Sequence, residues 1–137
     1  MTPADHLQAA QTIAVVGCSS RLTRTSHQIA RYLQDAGYTI VPVNPEIEAA
    51  LGLTSYPDLT AVPAEVRIDI VNIFRRPSAA AAMVEDAVAR ATQQEHPPVV
   101  WPQLGVHTPA AEAVATAAEL PYVKGRCIRV VHQLQAR

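Results

Sequence analysis

The sequence predicts an α/β fold: a Rossmann-like, doubly wound parallel sheet of about five strands with helices on both faces, in a single domain over residues 1–137. Three observations predict it. Strand-length apolar runs alternate with helical segments of about 10–15 residues, the rhythm of βαβ units. Those runs are continuously apolar rather than alternating, as strands buried on both faces are. Apolar residues make up 49% of the chain but aromatics only 4%, which suits alanine-rich helices on a sheet better than an aromatic-rich β sandwich. The length fits one domain of ordinary size and is too short for two.

The elements follow in order. Residues 4–10 form a short leading helix, and 12–17 a first strand, Thr-Ile-Ala-Val-Val, ending in Gly17. Across 26–36, Ile29, Ala30, Leu33 and Ala36 recur at helical spacing on one face, and Gly37 is a natural stop. Residues 38–43 read as a second strand. Pro42 cannot donate to a ladder, so it should lie near the strand's end or where pairing stops. Residues 44–67 are irregular, with a short helix or strand around 47–56. A third strand spans 68–74. An alanine-rich helix spans 78–92, with Ala82, Val84, Ala87, Val88 and Ala91 apolar. Residues 98–101 are a fourth strand, 109–119 a helix, and 122–123 a short last strand. The tail from Arg126 is amphipathic and has no clear assignment.

Charge narrows the function. The formal net charge is −1, so nothing overall draws the chain to nucleic acid or an anionic membrane. The N-terminus lacks a basic region followed by an apolar one, and no apolar run approaches the roughly 20 residues of a membrane helix. Cys18 and Cys127 make no disulfide framework. A cytoplasmic protein with reduced thiols is the expectation.

In such sheets ligands bind beyond the carboxyl ends of the strands. The loops there carry Arg21 and Arg24 after strand one, Asn44 and Pro45 after strand two, Arg75 and Arg76 after strand three, and the run from Trp101 to Gly105 around the end of strand four. Two of these loops lead into helices, with Ser26 and Ser78 placed to cap them. Guanidinium groups beside helix N-termini make a phosphate site. A chain near neutrality that gathers arginines at one rim points to a small polyanionic ligand. The first loop lacks the G-x-G-x-x-G fingerprint, having only Gly17, and Asn44 stands where a nicotinamide enzyme places an acid. Both features argue against NAD. An NADP-dependent oxidoreductase-like enzyme is the first alternative. The second is an interaction protein with a vestigial nucleotide site, its alanine-rich helices mediating self-association as a homo-oligomer.

In order along the chain come Gly17-Cys18-Ser19, Arg24-x-Ser26, Gly37-Tyr38, Pro42-Val43-Asn44-Pro45, Tyr56-Pro57, Phe74-Arg75-Arg76, Trp101-x-Gln103-x-Gly105-Val106 and Arg126-Cys127. This set resembles the stand-alone CoA-binding domain proteins, similar to the CoA-binding domain of the succinyl-CoA synthetase α subunit. The resemblance implies a Rossmann-type sheet that binds coenzyme A or acyl-CoA without catalysis of its own. It implies Gly17, Ser19, Arg24 and Ser26 around the nucleotide phosphates. Asn44, Pro45, Phe74, Arg75 and Arg76 would line the nucleotide crevice, and Trp101, Gln103 and Gly105 the far wall towards the pantetheine arm, although the sequence alone leaves Trp101 equally open to a place in the core. Cys18 stands where the family often has alanine. It reads as a small filler in the pocket floor, although a thiolate at a helix N-terminus would exchange with the CoA thiol. Cys127 and His132 have no recognised metal spacing, and read as a packed thiol and a surface imidazole. His107 lacks the Gly-His-Ala-Gly context of a phosphorylated histidine, and Ser19 and Ser20 lack triad partners.

Overall fold

The computed structural model describes residues 1–135. Helix α1 (Pro3–Ala9) leads into β1 (Thr12–Val16), α2 (Thr25–Asp35) and β2 (Thr39–Val43). A small hairpin of β3 (Ala49–Ala50) and β4 (Leu53–Thr54) and a 3-10 turn (Leu59–Ala61) fill the irregular stretch. Then come β5 (Ile70–Ile73), α3 (Pro77–Ala91), β6 (Val99–Pro102), α4 (Pro109–Ala117) and α5 (Ile128–Gln135). Within the tail left unassigned by sequence, Ile128–Gln135 is therefore a helix.

The main sheet is parallel throughout, in the order β2-β1-β5-β6. It has four strands rather than five. The fifth position is held by Tyr122 alone, bridged in parallel to Val100. Here Val100 donates to Pro121 and Val123 donates to Val100, at 2.8 and 2.9 Å. Pro121 has no N–H, so the ladder cannot extend backwards along this segment. Pro42 lies within the edge strand β2, with its carbonyl accepting from the Tyr56 N–H at 3.0 Å. Its N–H would have faced that same outer side, where the sheet loses no neighbour by its absence.

Side chains alternate across the sheet and give it two filled faces. Ile13, Val15, Ile70 and Trp101 meet Leu7, Ile29, Leu33 and Ile128 from α1, α2 and α5. Ala14, Val16, Val71, Ile73 and Val100 meet α3 and α4 through Ala80, Val84, Ala87, Ala111 and Ala115. Small side chains let these two helices sit close to the sheet and to each other. A buried guanidinium completes this layer. Arg90, near the end of α3 and fully buried, donates to the carbonyls of Leu59, Val62, Pro63 and Val66, and so fastens the segment before β5.

A candidate ligand cleft at the carboxyl edge of the sheet

Going from β1 to β2 the chain moves one way across the sheet, and to β5 it moves the other. At that reversal the loops diverge and leave a crevice. The cleft there has a volume of about 950 Å³, near the upper end of small-molecule sites.

Gly17 makes the crevice possible. Its φ is +85°, and a Cβ at this position would lie 2.1 Å from the Phe74 carbonyl oxygen. Only glycine lets the β1 loop pass so close to the end of β5. The same crossing is pinned by Gly17 N–H to Val43 O at 2.7 Å and Phe74 N–H to Val16 O at 2.8 Å. The loop beyond is held by serines. The Ser26 hydroxyl accepts from the Ser19 N–H, and the Ser19 hydroxyl from the Arg21 N–H, both at 3.0 Å. His27 Nδ1 hydrogen-bonds the Ser19 carbonyl at 2.8 Å.

Neither predicted cap serves as one. The cap position of α2 is Arg24 and that of α3 is Arg76, and neither helix has a side-chain cap. Ser26 is turned back to the loop instead, and Ser78 accepts from Arg76 Nε at 3.1 Å. The two helices facing the cleft thus leave first-turn N–H groups without a side-chain acceptor, whereas Thr2 caps α1 and Thr108 caps α4. Five arginines line the cleft, Arg21, Arg24, Arg75, Arg76 and Arg129, against one carboxylate, Glu46. Among the described residues none of the five is ion-paired; the pairs involve Arg31, Arg67, His107 and Lys124.

Of the residues expected from sequence, Gly17, Ser19, Arg24, Ser26, Asn44, Phe74, Arg75, Arg76 and Gln103 line the cleft. Asn44 ties two loops together, donating to Cys18 O and accepting from the Glu46 N–H, each at 3.0 Å. Four residues do not line it. Trp101 is fully buried, and its indole N–H donates to Arg126 O at 3.1 Å. It lies inside β6 and points into the core, not past the strand's end. Cys18 is also fully buried. Burial pushes its thiol up to about 11, which fits the filler role and not exchange. Pro45 and Gly105 are exposed outside the lining.

Sequence reasoning did not single out Cys127 or Arg129 for this wall. Both reach it because α5 starts beside the end of β6. Gln103, only 8% exposed, donates to Cys127 Sγ at 3.0 Å and accepts from the Ile128 N–H at 3.2 Å. The signal available was the pair Arg126-Cys127 ahead of Ile128 and Val131, spaced as on a helix face. His132 is not a free surface imidazole: its Nδ1 is 2.6 Å from the Tyr32 hydroxyl, joining α5 to α2. His107 lies off the cleft, bonded to the Tyr122 hydroxyl at 2.8 Å. Among the described residues no group of three or more His, Cys, Asp or Glu is placed to hold a metal, and no helix is long and apolar enough to cross a membrane.

Fold and cleft together define a Rossmann-like α/β domain with an arginine-lined crevice at the switch point of its sheet. Residues 11–133 match the family model described as a CoA binding domain, and the chain belongs to that family. It is 37% identical over 126 residues to the uncharacterized protein YneT of Bacillus subtilis, covering 92% of this chain and 88% of that one. A hypothetical protein from Pyrococcus horikoshii OT3 superposes with a TM-score of 0.89 at 30% identity, covering 100% of this chain and 94% of that one. A Thermus thermophilus structure gives 0.86 at 31% identity, covering 98% of both chains.

Proposed function

We propose that this protein binds coenzyme A, free or acylated, in the cleft and does no chemistry on it. The observation that carries this reading is the set of arginines without carboxylate partners around two uncapped helix N-termini. A pyrophosphate and a 3′-phosphate supply the charge such a set accepts. In this reading the phosphates meet the N-terminus of α2, the adenosine lies towards β2, and the remaining arm runs towards Gln103. Membership of the CoA-binding domain family supports the same ligand. The absence of catalysis rests on the lining itself, in which arginines, hydroxyls and amides predominate and no nucleophile is paired with a base.

A thermal-shift panel tests the reading with CoA, acetyl-CoA, 3′-dephospho-CoA, NAD, NADP and ATP. A ligand at 100 times its Kd stabilises the native state by about 2.7 kcal/mol, a rise of roughly 5–15 °C for a domain of this size. CoA and acetyl-CoA are expected to give that shift, and acetyl-CoA to be recovered intact. A shift with NADP and none with any CoA species would overturn the proposal.

A further inference from the structure

Two consecutive peptides in the loop between β1 and α2 are held differently. The Cys18–Ser19 peptide is satisfied on both sides: Asn44 donates to the Cys18 carbonyl, and the Ser19 N–H donates to the Ser26 hydroxyl, both at 3.0 Å. The Ser19–Ser20 peptide is satisfied on one side only. Its carbonyl, that of Ser19, is 2.8 Å from His27 Nδ1. A carbonyl oxygen only accepts, so Nδ1 carries the hydrogen. The N–H of the same peptide belongs to Ser20, and among the described residues no group accepts it.

This asymmetry fixes a direction. Among the described residues no peptide is cis, so across Ser19–Ser20 the C=O and the N–H point opposite ways. With the carbonyl held against the first turn of α2, the Ser20 N–H is turned away from that turn. Ser20 is exposed and lines the cleft, whereas His27 is only 6% exposed and lies outside the lining. What His27 controls is therefore which end of a peptide dipole the loop presents. Turning that peptide over would exchange a donor for an acceptor, and an anion that gains from the first is repelled by the second.

We propose that His27 is a positioning residue for phosphate binding: it holds the Ser19–Ser20 peptide so that the Ser20 N–H donates to a phosphate of the ligand. The inference rests on the cleft being a CoA site. The arginines supply charge on long side chains, and the clamped peptide supplies a donor of fixed direction.

Calorimetric titration of CoA into the full chain compares the native protein with two variants. His27→Leu fills the buried position but removes the donor, and is expected to weaken CoA about tenfold, the effect of one hydrogen bond to a charged group. His27→Asn is expected to restore most of that loss, because its Nδ2 stands as many bonds from Cβ as the histidine Nδ1. A packing role would rank the two variants in the opposite order, since leucine fills the space better than asparagine, and that order would overturn the inference. The Ser20 amide gives a direct reading in a nitrogen–proton correlation spectrum. Its proton is expected to move downfield as CoA is added to the native chain, so the test stands even where a variant fails to fold. An unmoved Ser20 amide in a native chain that binds CoA would overturn this inference and leave the CoA reading in place. No binding of any CoA species to the native chain would overturn both.

Discussion

Helix α3 carries arginines at both ends, and the two ends use them in opposite ways. At its C-terminal end Arg90 is fully buried and its guanidinium donates to four backbone carbonyls. At its N-terminal end Arg75 and Arg76 face the cleft, and neither has a carboxylate partner among the described residues. Arg90 brings its own acceptors, since carbonyls of an irregular segment need donors as much as the guanidinium needs acceptors. Among the described residues the rim arginines have no carboxylate or carbonyl acceptor, and Arg76 reaches only the Ser78 hydroxyl. The type of residue is the same at both ends; what differs is whether the protein supplies the anionic or dipolar partner. Where it does not, a ligand has room to do so.

Breaking the buried end should have the largest effect. Arg90→Ala removes the guanidinium donor from the carbonyls of Val62 and Val66, and a second donor from those of Leu59 and Pro63, which keep the Val62 and Val66 N–H groups. We expect a loss of about 3–5 kcal/mol, read as a lower urea midpoint, with the remaining folded protein still binding ligand. An unchanged midpoint would mean that water replaces the guanidinium and that the segment does not depend on it.

The open end should respond the other way. Arg76→Ala should weaken CoA about tenfold in calorimetric titration while moving the midpoint by no more than about 0.5 kcal/mol. Among the described residues its side chain hydrogen-bonds only to Ser78, on the surface. Loss of stability in place of affinity would erase the distinction between the ends of the helix.

The smallest effect sharpens the contrast between capped and uncapped helices. Thr108 accepts from the Ala111 N–H at 3.1 Å, so Thr108→Ala should cost about 1 kcal/mol of stability and leave CoA affinity where it was. A change in affinity would show that the start of α4 also belongs to the site.

Much of this arrangement was legible in the chain. Gly17 after a continuous apolar run marked the end of β1 and the mouth of the cleft, and the clustered arginines marked its charge. Periodicity found α2 and α3 to within a residue or two of their ends. The errors have local causes. Ser26 and Ser78 were in reach of a capping role, but each was drawn to a different partner, the Ser19 N–H and Arg76 Nε. Cys18 stood in the loop after the first strand and Trp101 at the end of the fourth, yet both side chains turn into the core beneath the rim.

The sequence by itself determined the α/β class, the parallel strands and the clustering of arginines at one rim, because these follow from periodicity, composition and the position of glycines and arginines along the chain. Only the tertiary structure decided which arginines are satisfied and which are open, and that α5 brings Cys127 and Arg129 to the cleft. Satisfaction depends on acceptors supplied from distant parts of the chain, such as the carbonyls around residues 59–66 for Arg90. No local pattern encodes a partner that arrives through the packing of another element.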